Sequence, residues 1–288
     1  LLKHLGLRVR IVDIKEPSEA AAKEAALAGW EFISGPHSAA QFADAKIIVP
    51  SPGVPLPKIE EHLSPAQREL IVGEMELAFR HLRGEPIIAV TGTSGKTTTV
   101  SLIAAMLEEA GKKVFLGGNI GTPLSEYVLT QYAGAAPADV LVLEISSFQL
   151  QTCRSFRPNV AVLMNISENH LDHHKDMREY QDARFRLFMC QEDGDIAILP
   201  EELRELAATY LLPERVEYYG DGASFTGSRL LGAHNRRNLE AAWRACAHFG
   251  VSFEDAGRAA ESFAPLPHRL EVVDVKKGVL FVNDSKST

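Results

Sequence analysis

Cysteine is scarce in this sequence, and the spacing of the few that occur excludes the usual cysteine-based metal sites. The 288 residues contain three, Cys153, Cys190 and Cys246. They are far apart, and none belongs to a Cys-x-x-Cys pair that could hold a metal. Because such isolated cysteines are typical of reducing compartments, we expect free thiols and a cytoplasmic location.

Long apolar runs and an excess of positive charge are also absent. No apolar run approaches the ~18 residues of a membrane span, and residues 1–6 do not have the pattern of a signal peptide. The 30 Lys and Arg residues against 38 Asp and Glu residues give a net charge of −8, which disfavours binding to nucleic acid or to an anionic membrane. We therefore expect a soluble protein with small-molecule partners, no nucleic acid and no membrane.

What is present is an alternation of strand-like and helix-like segments, which predicts an α/β fold with parallel strands and crossover helices. At ~100–200 residues per domain, the length allows two or three domains. We expect an N-terminal Rossmann-like parallel-sheet domain in 1–83, a central P-loop ATPase-type doubly wound α/β domain in 84–265, and the start of a third α/β domain in 266–288. The elements expected in the first domain are strands at 9–14, near 32 and at 46–49, and helices at 19–28 and 65–82.

Both ends of the chain have the pattern of a domain interior. Residues 1–6 have the pattern of a helix end that leads straight into a strand, and a strand-like segment at 279–282 is followed only by a polar loop. We therefore expect a fragment in which the first domain lacks its first strand and the third domain is truncated.

A glycine-rich loop connects a strand-like segment at 86–90 to a helix-like segment at 98–110. Its sequence, Thr-Gly-Thr-Ser-Gly-Lys-Thr-Thr at 91–98, would direct backbone N–H groups and a helix N-terminus at one anion. In this type of loop Lys96 reaches the β and γ phosphates of a nucleotide and the Thr97 hydroxyl binds Mg²⁺. Val90 replaces the first glycine of the general pattern, and the alternative is an ordinary turn with an exposed lysine. The strand and helix on either side favour a site for ATP and Mg²⁺.

Polar side chains follow two further strand-like segments. Glu144 ends the segment at 140–143, and His170 lies in the loop after the segment at 160–163. Neighbouring parallel strands deliver such loops to one edge of a sheet, and a carboxylate there can hold Mg²⁺. The alternatives are a solvated glutamate and a structural histidine. The pairing of the two positions favours a metal site beside the phosphate loop.

Six short strings occur in the order in which a known enzyme family has them. They are Thr-Gly-Thr-Ser-Gly-Lys-Thr-Thr at 91–98, Gly-Gly-Asn-Ile-Gly at 117–121, Leu-Glu-Ile-Ser-Ser-Phe-Gln-Leu at 143–150, His-Asn-Arg-Arg-Asn at 234–238, Leu-Pro-His-Arg-Leu-Glu at 266–271 and Asn-Asp-Ser-Lys-Ser-Thr at 283–288. With them the chain resembles the Mur ligase family of ATP-dependent amide-forming enzymes through nearly its whole length. The string Ser-Ser-Phe-Gln-Leu at 146–150 resembles the members that add D-glutamate.

The resemblance implies an ADP-forming ligase of peptidoglycan precursor synthesis in a bacterial cytoplasm. ATP would phosphorylate the carboxylate of UDP-N-acetylmuramoyl-L-alanine, and the amine of D-glutamate would displace phosphate from the acyl phosphate. Lys96, Glu144 and His170 would be catalytic, because this chemistry requires charge neutralisation on the phosphoryl group. Thr97 and Glu144 would hold one Mg²⁺, and His170 would help to hold a second. We expect the protein to be a monomer.

The resemblance also assigns binding residues. Those assigned to ATP are Gly92, Thr93, Ser94, Gly95, Lys96, Thr97, Thr98, Asn235, Asn238, Arg269 and Asp284. Those assigned to the UDP-sugar and amino-acid substrates are Asp13, Ile14, Lys15, Ser51, Pro52, Gly53, Asn119, Ser146, Gln149, Lys286 and Thr288.

One departure and three alternatives stand beside this interpretation. Arg184 lies where the family commonly has a lysine that becomes carbamylated and supports the second metal, and an arginine does not form that carbamate. A sibling ligase that adds another amino acid to a muramoyl substrate, or to a folyl substrate as a folylpolyglutamate synthase does, is the first alternative. A GTPase or kinase is the second, although no guanine-reading Asn-Lys-x-Asp string occurs. A nucleotide-binding module without turnover is the third, and we expect this chain by itself to bind ATP without completing ligation.

Overall fold

The structure is a computed structural model that describes residues 1–169, 174–221 and 225–286. It is an α/β fold, as predicted. The strands are β1 Arg10–Asp13, β2 Glu31–Ser34, β3 Ile87–Thr91, β4 Val114–Gly118, β5 Val140–Glu144, β6 Val160–Leu163, β7 Ile196–Pro200, β8 Arg215–Tyr219, β9 Glu271–Lys276 and β10 Val279–Asn283. The α-helices are α1 Glu19–Ala28, α2 Leu56–Glu60, α3 Pro65–Arg68, α4 Glu74–Phe79, α5 Lys96–Glu109, α6 Leu124–Tyr132, α7 Ser147–Gln151, α8 Met177–Phe185, α9 Arg204–Ala207, α10 Ala233–Ala247 and α11 Phe253–Ser262. Short 3₁₀ helices lie at Ala39–Phe42, Arg186–Phe188 and Glu201–Leu203.

A six-stranded parallel sheet in the order β4-β5-β3-β6-β7-β8 forms the centre of the molecule. Every side chain of β3 is buried. Ile88 and Val90 pack into one core with α5, α10 and α11, whereas Ile87 and Ala89 pack into a second core with α4 and α6. This confirms the doubly wound arrangement. The strand order changes direction beside β3, and open α/β sheets bind ligands at such a point.

The N-terminal segment forms a smaller parallel pair, β1 with β2. Helix α1 connects the two strands and begins at the Ser18 cap and ends at Gly29, whose φ of 71° is the left-handed conformation that favours glycine. The predicted helix at 19–28 is confirmed. The strand predicted at 46–49 is wrong, since this segment contributes only one bridge, between Ile48 and Ile71.

The single helix predicted at 65–82 is also wrong, because the segment forms α3 and α4 with a break between them. The backbone around the break bonds elsewhere: Ile48 N donates to Leu70 O, and Val72 N donates to Ile48 O, both at 2.9 Å. Gly73 is extended and lies against Thr152, where a β-carbon would meet the threonine hydroxyl at 2.0 Å. Helical spacing of apolar residues did not reveal this long-range pairing.

Strands β9 and β10 form an antiparallel hairpin at the end of the described chain, and β10 contains the strand-like segment predicted at 279–282. Its valines and aromatic residue are unusually exposed: Val273 is 57% exposed, Val275 60% and Phe281 47%. The hairpin therefore adds little to the two central cores. No helix in the described part of the chain is long and apolar enough to cross a membrane.

The buried carboxylate of Glu76 joins α4 to the loop that follows α7. It accepts hydrogen bonds from the backbone N–H groups of Arg154, Ser155 and Phe156 at 3.0–3.1 Å and from the Ser155 hydroxyl at 2.6 Å. Arg80 pairs with it at 2.9 Å. Burial acts to raise the pKa of Glu76, but these hydrogen bonds outweigh burial and the pKa lies below its ordinary value. The charged carboxylate thus stabilises the loop.

We predict that Glu76→Ala lowers the free energy of unfolding by about 3 kcal/mol or more, because it leaves several buried donors without an acceptor. Urea denaturation at pH 7 measures this. The matched control is Glu69→Ala, which removes an exposed carboxylate paired with Arg154 of the same loop and should cost less than about 1 kcal/mol. Equal losses in the two variants would contradict the role of Glu76.

The same carboxylate predicts a pH dependence. Because its folded pKa lies below the unfolded one, its contribution is fully present above the unfolded pKa of about 4.3 and is lost as the pH falls through the folded value. The stability difference between the unaltered chain and Glu76→Gln should therefore shrink as the pH is lowered from about 5 to 3. A constant difference would show that the charge is not what stabilises the loop.

Candidate nucleotide-binding site

The glycine-rich loop leaves the buried end of β3 and turns directly into α5. Gly95 has a φ of 80°, and a β-carbon there would lie 2.7 Å from Asn238 Oδ1. Only glycine combines this conformation with this close approach. The first backbone N–H groups of α5 begin at Lys96, and such groups have no partner within their own helix. The loop and the helix start therefore form the anion-binding arrangement that the sequence predicts.

Lys96 is partly buried and lies over its own loop. Its Nζ donates to the carbonyl oxygens of Gly92 at 2.8 Å and Thr93 at 3.0 Å. Burial, together with the positive charges of Arg184 and Arg269, lowers the pKa of Lys96 to about 8, although the carboxylate of Glu144 acts in the opposite direction. An amine in such surroundings gains from any anion brought within reach, because the anion restores the charged form.

Glu144 and Thr97 meet beside this loop, as predicted. Glu144 is 2% exposed, and its Oε2 accepts the Thr97 hydroxyl at 2.8 Å while its Oε1 accepts Asn119 Nδ2 at 2.8 Å. Arg269 Nη2 donates to Thr97 Oγ1 at 3.2 Å. A hydroxyl and a carboxylate oxygen are the hard ligands that Mg²⁺ prefers. The chemistry of these two side chains fits a Mg²⁺ ion, whose other ligands would have to come from phosphate and water.

Other parts of the predicted metal site stay predictions. His170 and Thr288 lie outside the described residues. Within those that are described, no group of three or more His, Cys, Asp or Glu side chains is close enough to hold a metal. All three cysteines are free thiols, as predicted.

The segment after β6 and the helix α8 hold the loop in place, and sequence reasoning did not identify the residues that do so. Asn165 bonds Ser94 in both directions, accepting from the backbone N at 3.0 Å and donating to the carbonyl oxygen at 3.1 Å. Thr93 Oγ1 lies 2.9 Å from the Tyr180 hydroxyl and accepts from Ser167 N at 3.0 Å. Asn165 follows β6 at the edge where Glu144 ends β5, so the strand-end rule that selected Glu144 could have found it.

A cleft opens between the phosphate loop, the start of α10 and the segment before β9. It brings together Asn235, Asn238, Arg269 and Asp284, as the resemblance implied, and adds His234, which sequence reasoning did not assign. Its walls are Ser94, Gly95, Thr98, Asn165, Leu230, His234, Asn235, Asn238, Leu266, Arg269, Leu270 and Asp284. Asparagine amides, an arginine and a carboxylate around apolar walls are suited to a nucleoside.

A second cavity lies between the loop at 50–57 and helix α7. Its walls include Ser51, Pro52 and Gln149, together with Phe148 and Glu179. Gln149 also forms a capping box with Ser146: Ser146 N donates to Gln149 Oε1 at 3.0 Å, and Gln149 N donates to Ser146 Oγ at 3.2 Å. The cavity thus contains part of the predicted substrate site.

The remaining predicted substrate residues lie elsewhere. Asp13, Ile14, Lys15 and Gly53 are exposed and do not line this second cavity. The Asp13 carboxylate accepts from Lys15 N at 2.9 Å, which closes the turn after β1. Lys286 is exposed, and its backbone N donates to His268 O at 3.0 Å. Their assignment to substrates stays a prediction.

Arg184 does not fit the role that the resembled family gives to the lysine at its position. It is 1% exposed, and its guanidinium donates to Thr91 Oγ1 at 2.5 Å and to the Tyr180 hydroxyl at 2.8 Å. A guanidinium with these partners cannot supply an anionic metal bridge. Arg184 therefore gives no support to the second Mg²⁺ ion that the resemblance implies.

The parallel sheet, its phosphate loop and the carboxylate at the same edge define a phosphate-loop α/β protein. A family model described as "Mur ligase middle domain" matches residues 90–220. UDP-N-acetylmuramoylalanine--D-glutamate ligase of Geobacter metallireducens is 37% identical over 312 aligned positions, which cover 98% of this chain and 68% of the relative. The chain therefore belongs to the Mur ligase family.

A second relative and a solved structure are also similar to this chain. The protein of the same name from Oleidesulfovibrio alaskensis is 58% identical over 291 positions, which cover 100% of the chain and 65% of the relative, so the chain spans about two thirds of the length of such relatives. The crystal structure of MurF ligase from Thermotoga maritima in complex with ADP superimposes with a TM-score of 0.60 at 19% identity, over 99% of this chain and 70% of that one. This second likeness concerns the fold alone.

We predict that Lys96→Ala weakens the binding of ATP with Mg²⁺ roughly 10- to 100-fold, the equivalent of about 1.5–3 kcal/mol for a hydrogen bond to a charged group. The fold should persist, since the lysine contacts only two loop carbonyls. Calorimetric titration with a non-hydrolysable ATP analogue measures the affinity. Lys112→Ala, an exposed lysine just beyond the other end of α5, should bind as the unaltered chain does. Undiminished affinity in Lys96→Ala would contradict the assignment.

We predict further that Glu144→Gln reduces the gain in nucleotide affinity that Mg²⁺ provides, because an amide oxygen is a weaker ligand than a carboxylate for a hard cation. The measurement is the ratio of ADP affinities with Mg²⁺ and with EDTA. The ratio should fall by about tenfold in this variant and should not change in Glu126→Gln, a carboxylate on α6. An unchanged ratio in Glu144→Gln would place the metal elsewhere.

Proposed function

We propose that this chain is the nucleotide-binding and UDP-sugar-binding part of an ATP-dependent ligase that joins D-glutamate to UDP-N-acetylmuramoyl-L-alanine through an acyl phosphate. The observation that carries the proposal is the convergence of Lys96, Thr97 and Glu144 on one loop, in a chain aligned from end to end with a ligase of that name. Boundaries at 1–83, 84–265 and 266–288 remain our proposal for the domains.

The chain has two adjacent binding sites, one for the nucleotide and one for the UDP-sugar substrate. The phosphate loop and Lys96 bind the β and γ phosphates, and Asn235, Asn238 and Asp284 bind the nucleoside in the adjoining cleft. Thr97 and Glu144 would hold Mg²⁺, which neutralises phosphate charge when bound.

The position of the second cavity supports phosphoryl transfer to a bound carboxylate. Glu144 ends β5, and Phe148 and Gln149 of the next turn line the second cavity. The ends of the triphosphate and of a substrate held by Ser51, Pro52 and Gln149 would therefore meet at one edge of the sheet. Phosphoryl transfer depends mainly on such positioning and on electrostatic stabilisation.

The proposal predicts an amino-acid preference in the intact protein that carries this chain. With ATP, Mg²⁺ and UDP-N-acetylmuramoyl-L-alanine present, D-glutamate should stimulate phosphate release and yield the dipeptidyl product. Phosphate assay and mass spectrometry of the product measure this, with L-glutamate and meso-diaminopimelate as the comparison. Stimulation by another amino acid would identify a sibling ligase. Binding of ATP without turnover under any of these conditions would leave a nucleotide-binding module.

A further inference from the structure

Arg184 is a buried cation that the proposed mechanism does not use. It lies on the last turn of α8 and is 1% exposed. Its contacts with Thr91 and Tyr180 are with neutral hydroxyls, and the guanidinium also lies over the Tyr180 ring at 4.9 Å. Among the described residues its Nε has no hydrogen-bond partner and no carboxylate forms an ion pair with it. A charge buried without a counterion carries a large desolvation penalty.

The guanidinium lies directly beneath the phosphate loop. Thr91 is the residue before Gly92, and the Tyr180 hydroxyl bonds Thr93 Oγ1 at 2.9 Å. Both hydroxyls have another partner, because Thr91 Oγ1 also donates to Ile145 O at 2.7 Å. Arg184 is therefore not needed to satisfy them. The feature that Arg184 adds beneath the phosphate loop is its positive charge.

The charges around the phosphate loop favour the binding of an anion. Among the described residues, three cations, Lys96, Arg184 and Arg269, lie at the loop, and the carboxylate of Glu144 raises the pKa of both Lys96 and Arg184. Burial lowers the pKa of Arg184, and the charge of Arg184 in turn lowers that of Lys96. Each cation thus makes the other more costly to bury until negative charge arrives.

We propose that Arg184 is a positioning residue with a fixed positive charge under the phosphate loop, and that the phosphates of a bound nucleotide are the anions that balance it. This inference rests on the proposed function, in which the loop binds ATP. The buried charge of Arg184 lowers the free energy of unfolding of the ligand-free protein. Binding of phosphate then restores that stability. Arg184 acts through the loop and through its charge, without touching the reacting atoms.

The test compares Arg184→Met, Arg184→Lys and a control, Arg186→Met. Arg186 lies two residues further along, and its guanidinium bonds the carbonyl oxygens of Leu150 and Cys153 away from the loop. Calorimetry gives the affinities of each variant for ADP and for adenosine with Mg²⁺. Thermal unfolding gives the stability of each variant without a ligand.

In Arg184→Met we expect ADP affinity to fall by about tenfold or more, adenosine affinity to stay the same, and the ligand-free melting temperature to stay the same or rise. Arg184→Lys retains the charge and should recover most of the ADP affinity. Arg186→Met should melt at a lower temperature and keep the ratio of ADP to adenosine affinity. A merely structural Arg184 would behave as Arg186 does.

The outcomes separate the two proposals. If the unaltered chain does not bind ADP, the proposed function is wrong and this inference is wrong with it. If the unaltered chain binds ADP and Arg184→Met binds it equally well, or if Arg184→Met loses stability or fails to fold, the inference alone is wrong. Selective loss of ADP binding without loss of stability supports it.

Discussion

The site depends on how the phosphate loop is held where it leaves the sheet. Strand β3 is buried along its whole length, so its backbone must pass from a dry core to a ligand edge within a few residues. The loop cannot stabilise itself in this turn, and it is fixed from three sides. Thr91 Oγ1 donates a hydrogen bond to Ile145 O, just after β5. Asn165, after β6, accepts a hydrogen bond from Ser94 N, and the Tyr180 hydroxyl on α8 is hydrogen-bonded to Thr93 Oγ1. Donors that are fixed before the ligand arrives do not have to reorganise when it binds, which is why such anchoring favours both affinity and phosphoryl transfer.

The sequence predicted the central part of the fold better than the N-terminal part. In the central part, apolar runs such as 160–163 are fully buried strands, and nothing competes with that local pattern. In 65–82 the apolar spacing is helical, but Leu70 and Val72 bond Ile48 instead of continuing a helix, and Gly73 packs against Thr152. The deciding contacts join residues that are 20 or more positions apart, and no periodicity contains them.

The same distinction applies to the site. Lys96, Thr97 and Glu144 were predictable because a loop after a buried strand has a fixed place at the sheet edge. Asn165 also follows a buried strand, so the same rule could have predicted its place at the sheet edge. Tyr180 and Arg184 were not predictable in this way, because which face of α8 turns toward the loop depends on packing. The assignments of Asp13 and Lys15 came only from resemblance, and the cavity formed by Ser51 and Gln149 does not reach them.

The phosphate loop is surrounded by positive charge, whereas the whole molecule has a negative net charge. The chain carries a net charge of −8, yet in the described part of the chain Lys96, Arg184 and Arg269 converge on the loop, near the carboxylate of Glu144. Interactions between exposed charges are screened over roughly 8–10 Å at physiological salt, whereas buried charges are screened far less. The acidic surface therefore discourages polyanions from binding elsewhere without cancelling the local attraction. A small, highly charged ligand that fits between the loop and α10 is favoured by this arrangement, and a nucleoside triphosphate has both properties.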